Sequence, residues 1–310
     1  MNLTDFFNSI FTASFVFVVI RVAVPLVCAS LSAYTANISG LNNIAVEGIM
    51  LMAALMAVLG SFWTKSAWLG LLIAVLTGVV MALAIAFFSM YLGATPILVG
   101  IALNTFASSF SVFLLYLFTK NKGTSASLAS RILPTVNIPF IKDIPILGQI
   151  LSGHYVITYI VVVAMILIYI LIYKTPLGMR IKAAGLDQEA ARSVGINVNK
   201  VRIISIIISG IIGALGGAYI TMGYMSVFVK NIISGRGWIG IAVQGMAGSS
   251  FPVLILTTML FSVFQAFTNI FLLYNLPSEL INTIPYVAVL FGIIVFSIVE
   301  TRKRKKGEAD

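Results

Sequence analysis

Glu47 sits in an apolar stretch, Ile44-Ala45-Val46-Glu47-Gly48-Ile49-Met50-Leu51-Met52, and no other charge lies between Arg21 and Lys65. Two roles are open to a carboxylate placed there. It can hydrogen-bond or exchange a proton with a polar solute inside a membrane, where ionisable groups are costly and therefore functional by default. Alternatively it stabilises its own helix start beside a capping Asn43, worth roughly 0.3–1 kcal/mol through the helix dipole. Asn43, Asn104, Thr105, Ser108, Gln244, Gln265 and Asn269 are further polar side chains inside apolar runs. A polar ligand crossing a bilayer needs such donors and acceptors in place of its water, while an interhelical hydrogen bond is the competing role for each. Asn104, Thr105 and Ser108 share one helical stripe by spacing. With Asn43, Glu47 and Gln244 they make up the expected substrate path.

Other chemistries lack their residues. One cysteine, Cys28, allows no intrachain disulfide or Cys-based cluster, and one histidine, His154, allows no His-built metal site. Paired carboxylates within the membrane are missing, so no catalytic residue, metal or cofactor is expected. The chain also has no G-x4-GK[ST] phosphate loop. Any ATP used must be hydrolysed on a separate polypeptide.

The elements that position these residues follow from composition. The 310 residues are 60% hydrophobic and 9% charged, with a mean hydropathy of +1.09, against about 25% charge in a soluble domain. Charge-free runs at 66–119, 144–173, 203–229, 237–278 and 280–299 exceed or match the roughly 20 residues that cross a bilayer. An all-α, polytopic integral membrane protein is expected, a single transmembrane domain over 1–310. Spans fall at 11–36, 47–63, 68–91, 96–119, 154–173, 203–225, 252–272 and 281–299. A piece at 237–248 is too short to cross as one straight helix, which makes eight or nine crossings with one broken. The start, MNLTDFF, lacks a basic n-region, so the first segment is expected to remain as a span.

The net charge of +10 does not point to nucleic acid, because it is concentrated in 174–202 and in the run Arg302 to Lys306. That is the positive-inside pattern of cytoplasmic loops. The C-terminus and the basic tail 300–310, an anchor for anionic membrane lipid, are therefore expected inside the cell, and 120–153, with three prolines, outside as an irregular loop. Even parity between the two basic clusters requires 237–248 to act as a broken crossing. Counting back from 174–202 places 37–46 and 92–95 inside, 64–67 outside, and the N-terminus outside. Trp63, Trp68, Trp238 and His154 are read as interfacial residues.

Two short segments match when laid side by side: Gly40 to Gly48 and Gly237 to Gly245 share both glycines, an Ile-Ala-Val triplet and the pair Glu47/Gln244. They are expected to enter from opposite faces, as in an inverted repeat whose broken helices meet near the midplane. The small residues Gly210, Gly213, Ala214, Gly216, Gly217 and Ala218 suit close helix packing within one chain.

The stretch Thr175 to Ile203 is polar and helix-forming between Gly178 and Gly195, with Glu189-Ala190-Ala191 followed after three residues by Gly195. Gly195 suits the left-handed position that ends a helix, and Ala190 with Ala191 would leave a flat surface beside a carboxylate. The EAA-x3-G arrangement resembles the coupling motif of ABC-importer permeases. The wider pattern T-PLG-R-KAAG-----AA---GINV-K-R resembles the branch containing ribose, branched-chain amino acid and nucleoside permeases. Asn42 to Met52, Gly235 to Gly248 and Leu276 to Tyr286 look most like the nucleoside type.

This resemblance implies an importer permease subunit in the cell membrane that passes a nucleoside by alternating access. Gly185, Asp187, Glu189, Ala190, Ala191 and Gly195 would face a cytoplasmic ABC ATPase. The implied partners also include a second permease subunit and an external substrate-binding lipoprotein. Branched-chain amino acids or a simple sugar are the alternative cargo. An ion-coupled secondary carrier titrating Glu47 is the alternative of another class.

Overall fold

The computed structural model describes residues 13–139 and 147–271, with positions 283, 287–292, 294 and 298. The expected tail 300–310, most of the span 281–299 and the LPSELINTIPY segment lie outside the described residues. Helices dominate: α1 (Ala13–Ile38), α2 (Val46–Thr64), α3 (Ala67–Ala86), α4 (Pro96–Thr119), α5 (Leu147–Leu151), α6 (Val156–Lys174), α7 (Pro176–Leu186), α8 (Gln188–Ser193), α9 (Val198–Tyr219), α10 (Arg236–Ala247) and α11 (Phe251–Phe271). The helices α3 and α9 each run on into a wider π turn, Phe87–Tyr91 and Ile220–Tyr224. Two residue pairs, β1 (Thr135–Val136) and β2 (His154–Tyr155), pair antiparallel within the expected irregular loop.

Among the described residues, seven helices are long and apolar enough to cross a membrane. They correspond to the expected spans before residue 273, with ends displaced by a few residues. The short α10 is the expected broken piece. Trp63 and Trp68 are exposed beside the ends of α2 and α3, as interfacial aromatics are. His154 is not exposed: it is 2% accessible, stacked on Phe17 at 4.1 Å, and burial depresses its pKa.

The helix α1 is the central post, buried almost continuously from Val22 to Ile38. Its neighbours are joined to it mainly by hydroxyls, with one guanidinium just beyond its end. Ser32 Oγ donates to the Ser209 carbonyl at 2.8 Å and Ser209 Oγ donates to the Ser32 carbonyl at 2.7 Å. Ser205 Oγ donates to Thr35, and Arg202 Nε to the Ser39 carbonyl at 3.0 Å. These rungs pair rising numbers in α1 with falling numbers in α9, so the two helices are antiparallel. Ser30 Oγ lies 2.9 Å from Thr258 Oγ1 and Tyr34 packs on Phe251, so α11 also runs antiparallel to α1.

Glycines set the closest approaches. A Cβ on Gly78 would meet the Gly210 carbonyl and Ala214 Cβ, each at 2.5 Å, and one on Gly217 would overlap the Met50 carbonyl. The small-residue run of α9 is thus used inside the chain, against α1, α2 and α3, as the spacing suggests. Contacts of Ile49 with Gly213 and of Met50 with Gly217, with Thr221 Oγ1 donating to the Ala54 carbonyl at 2.9 Å, make α2 parallel to α9.

The loops sort to two ends. At one end the turn after α1 meets the start of α9 and the α7–α8 region: Gly40 lies against Gly185 and the Arg202 guanidinium. At the other end residues 123–125 pair with 228–230, Ser125 N donating to the Phe228 carbonyl at 2.9 Å and Lys230 N to the Gly123 carbonyl at 2.8 Å.

Replacing Gly78 with Leu overpacks a backbone contact, a class of change that costs about 1–3 kcal/mol or more. Thermal unfolding of detergent-purified protein should show a lowered midpoint. Gly245→Ala, where a Cβ meets nothing within 4 Å, should leave the midpoint unchanged or raise it, since alanine favours helix by about 0.5–1 kcal/mol.

Candidate functional site: two helix starts inside the bundle

After Ser39 the chain turns back into the bundle instead of starting the next helix at its end. Asn43 Nδ2 donates to Ser209 Oγ at 2.8 Å, level with Ser32. That is seven residues, or roughly 10 Å of helix rise, inward from Ser39. Backbone without helical bonds at membrane depth must be satisfied by protein, and here two asparagines do it. Asn43 Oδ1 accepts from Ala45 N at 3.0 Å. Asn104, on α4, donates through Nδ2 to the Ile44 carbonyl at 2.9 Å and accepts at Oδ1 from Gly48 N at 2.7 Å. Gly100 lets α4 come this close, since a Cβ there would lie 2.6 Å from Ile44 Cβ.

The helix α10 begins beside this break. Gly240 packs on Ala29 and Ser30, and the Ser249 carbonyl after α10 meets Tyr34, so α10 runs parallel to α1 and hence antiparallel to α2. The two helices therefore start next to each other and leave in opposite directions. Glu47 joins them. Its Oε1 accepts from Gly235 N at 2.8 Å and its Oε2 from Gly237 N at 2.7 Å, with the Arg236 guanidinium within electrostatic reach. The carboxylate satisfies two otherwise orphaned amides of α10 and places negative charge at the positive end of its dipole. Gly237 is obligatory, because a Cβ would lie 2.6 Å from the Glu47 Cα.

Glu47 thus acts across two helices, not only on its own. The N-cap position of α2 is Ala45, without a side-chain cap. The sequence match between 40–48 and 237–245 holds for opposite direction of travel but not for conformation. Residues 41–45 are irregular whereas 237–245 are helical, and Gln244 is buried two turns beyond the meeting point, near the far end of α10. Of the expected path residues, Asn43, Glu47 and Asn104 converge. Thr105 and Ser108 are on an exposed face of α4, with Thr105 Oγ1 bonded to its own helix at the Ile101 carbonyl.

Trp238 adds an aromatic surface, 43% exposed on the first turn of α10. Its backbone amide lies beside the Glu47 carboxylate. Sequence gave no depth for it, because the break that lowers α10 into the bundle is written in the distant Asn43 and Asn104.

The other end of α10 is also tied. Past Gly248, in the left-handed region at φ +55°, the Ser249 carbonyl lies 2.9 Å from the Tyr34 hydroxyl and 3.0 Å from that of Tyr173, on α6. Lys182 Nζ of α7 stands 3.6 Å from the Tyr173 ring centroid, a cation–π contact. A continuous set of contacts therefore runs from α7 through Tyr173 to α10 and on to Glu47.

The α7–α8 region differs from one continuous helix. Asp187 breaks it, accepting at Oδ1 from Glu189 N at 2.9 Å and Ala190 N at 3.0 Å as the cap of α8. Gly195 closes the segment at φ +82°, as expected. Glu189 and Ala190 are exposed, but Ala191 is buried, so the flat dialanine surface is not formed. Gly185 faces inward against the Ile38 carbonyl. Leu186 and Val194, 87% and 74% exposed, flank Glu189 with apolar surface that motif reading did not single out.

Helices broken at depth, joined through a half-buried carboxylate inside a bundle of apolar spans, are the construction of a transmembrane transport path. The molecule is a multi-pass membrane transport protein. It belongs to the family described as branched-chain amino acid transport system / permease component, whose model matches residues 15–299.

Among curated relatives it is 30% identical to the guanosine ABC transporter permease protein NupQ of Bacillus subtilis, over 88% of this chain and 89% of that one. It is 28% identical to the nucleoside ABC transporter permease protein NupC of Lactococcus lactis, over 88% of each. The solved structure of PsaBC from Streptococcus pneumoniae in complex with Fab shares the fold. Its TM-score is 0.52 at 16% identity, over 96% of this chain and 95% of that one.

Removing the Glu47 carboxylate leaves two buried amides unpaired, at about 1–3 kcal/mol each. Glu47→Ala should lower the unfolding midpoint more than Glu47→Gln, which keeps one acceptor. Equal midpoints for the two variants and wild type would show that the carboxylate does not hold α10.

Proposed function

We propose that this chain is the permease subunit of an ATP-driven importer that passes a purine or pyrimidine nucleoside across the cell membrane by alternating access. The observation that carries the reading is the convergence of Asn43, Glu47 and Asn104 with the exposed Trp238 at two opposed helix starts, in a chain whose relatives NupQ and NupC are named for guanosine and nucleosides. A nucleoside presents a flat base and several hydroxyls. An exposed indole can stack the base, an interaction worth about 1–3 kcal/mol per base, while asparagine and carboxylate groups replace water around its polar edges.

On this reading the end bearing 174–202 and the C-terminus is cytoplasmic, as its basic residues favour. The segment 120–153 is extracellular. The ATPase is a separate chain that grips α7 and α8, with Glu189 and Ala190 at the contact, Leu186 and Val194 beside them, and Asp187, Ala191, Gly185 and Gly195 shaping the segment. Its closure on ATP moves α7, and the Lys182–Tyr173–Ser249 contacts pass the displacement to α10. The start of α10 then shifts against Glu47 and changes which side the path opens to. A second permease subunit completes the path, and an external binding lipoprotein delivers the solute.

Competition uptake tests the cargo. Unlabelled guanosine or adenosine should suppress import, while leucine, ribose and glucose should not; the reverse pattern overturns the nucleoside assignment. Trp238→Ala should raise KM about tenfold with the subunit still inserted, the loss of roughly 1.4 kcal/mol of stacking. Uptake that survives ATP depletion but collapses with the proton gradient would replace the ATP-driven mechanism by a proton-coupled one.

Co-purification tests the coupling role. Glu189→Arg should abolish recovery of the ATPase with the permease, whereas retention at wild-type stoichiometry would remove Glu189 from the contact.

A further inference from the structure

At the end of the bundle that carries α7 and α8, a cavity of about 440 Å³ opens between α7 and the start of α9. Arg180 and Lys200 line it, together with Asn197, and apolar Leu177, Val201 and Ile204 form its walls. It shares Asn197, Lys200 and Ile204 with a second hollow that ends on Tyr91, a side chain 64% exposed. No carboxylate lines either hollow, and neither cation forms an ion pair among the described residues. Two positive side chains on one concave surface repel each other unless an anion sits between them.

The chemistry changes along the groove. Lys200 and the amide of Asn197 lie at the start of α9, a candidate span, Arg180 faces the same hollow from α7, and Ile203 and Ile204 follow farther along α9. Charged donors at the level where a span begins, continuous with apolar walls and an exposed tyrosine, match an amphiphile whose head is anionic and whose tail is apolar. An acidic peptide would satisfy the cations, but it would gain little from the isoleucine wall. A free phosphate would leave that wall uncovered.

We infer that the groove between α7 and α9 is a binding site for an anionic phospholipid, with Arg180 and Lys200 on its headgroup phosphate and Ile203, Ile204 and Tyr91 along the upper acyl chain. A lipid seated there touches both the segment that meets the ATPase and the helix whose small residues pack on α1, α2 and α3. The inference holds whichever solute is carried.

Unfolding midpoints of the full chain in nanodiscs of phosphatidylglycerol and of phosphatidylcholine provide the test. For wild type, phosphatidylglycerol should raise the midpoint by several degrees over phosphatidylcholine. R180Q/K200Q should lose more than half of that shift, while the charge-preserving R180K/K200R should retain it, which separates lost charge from lost folding. Inorganic phosphate added to the phosphatidylcholine discs should give no shift.

An equal midpoint in the two lipids, or a full shift in R180Q/K200Q, overturns the site. A phosphate response equal to that of the lipid makes it a free-anion site instead. An unchanged lipid shift in R180Q/K200Q, together with loss of ATPase co-purification, assigns the cations to the protein partner.

Discussion

The carboxylate of Glu47 fixes where two helices begin. Helix starts carry amides with no partner of their own, and a bilayer interior supplies no water to satisfy them. Bringing two such ends together at depth would normally set like ends of two dipoles against each other. A negative group between them reverses the sign of that interaction, and Glu47 does so while accepting from Gly235 and Gly237. The position of α10 follows from this contact. At 12 residues it covers only about 18 Å, too little to cross, so something must determine where it starts. The loop before it is held from the opposite side by pairing of 228–230 with 123–125.

Because α10 is tied at both ends, it is suited to carry displacement. A full-length span is gripped along many turns by its neighbours, whereas the short α10 packs on α1 through Gly240 and is held by hydrogen bonds at both termini. One terminus rests on Glu47, the other on the Tyr34–Tyr173 pair beneath Lys182. Coupling through a contiguous set of packed and hydrogen-bonded groups is physically direct. On the proposed reading the route from the ATPase to the solute crosses only a few contacts. The break at Asp187 contributes by turning α8 away from α7, which leaves Glu189 outward while Gly185 remains pressed on the end of α1.

The spans were legible in the sequence because length and hydropathy alone decide them in lipid, and α10 was legible as too short. The direction of its travel also followed, from charge and parity. Register was not legible. Gln244 stands opposite Glu47 in the aligned segments, yet one stands in a first turn and the other two turns into its helix, since α2 begins late after an irregular 41–45 that Asn43 and Asn104 make tolerable. Thr105 and Ser108 share a stripe with Asn104 by spacing, but the width of a helical face exceeds that of a contact. Asn104 turns to the break and its neighbours do not. Ala191 is a similar case: an exposed hydrophilic segment still has an inner side, and the burial of one alanine depends on where the cap at Asp187 ends the previous helix.

The distribution of polar groups explains how so few charges suffice. Apolar side chains gain nothing by leaving lipid for protein, so helix association in a membrane depends on close packing and on hydrogen bonds between helices. Here Ser32 and Ser30 of α1 bond to a backbone carbonyl of α9 and a hydroxyl of α11, Ser205 and Ser209 of α9 donate back to carbonyls of α1, and the glycines of α9 allow the backbones to approach. Such contacts are short-ranged and directional, which fixes α1, α2, α3 and α9 as a framework. A buried charge would act over longer distance and would need a partner wherever the helices moved. Three of the framework's few charges have defined partners: Arg21 of α1 lies over the Tyr224 ring, Arg202 near the start of α9 donates to the Ser39 carbonyl, and Glu47, in the first turn of α2, acts where two elements meet by their ends.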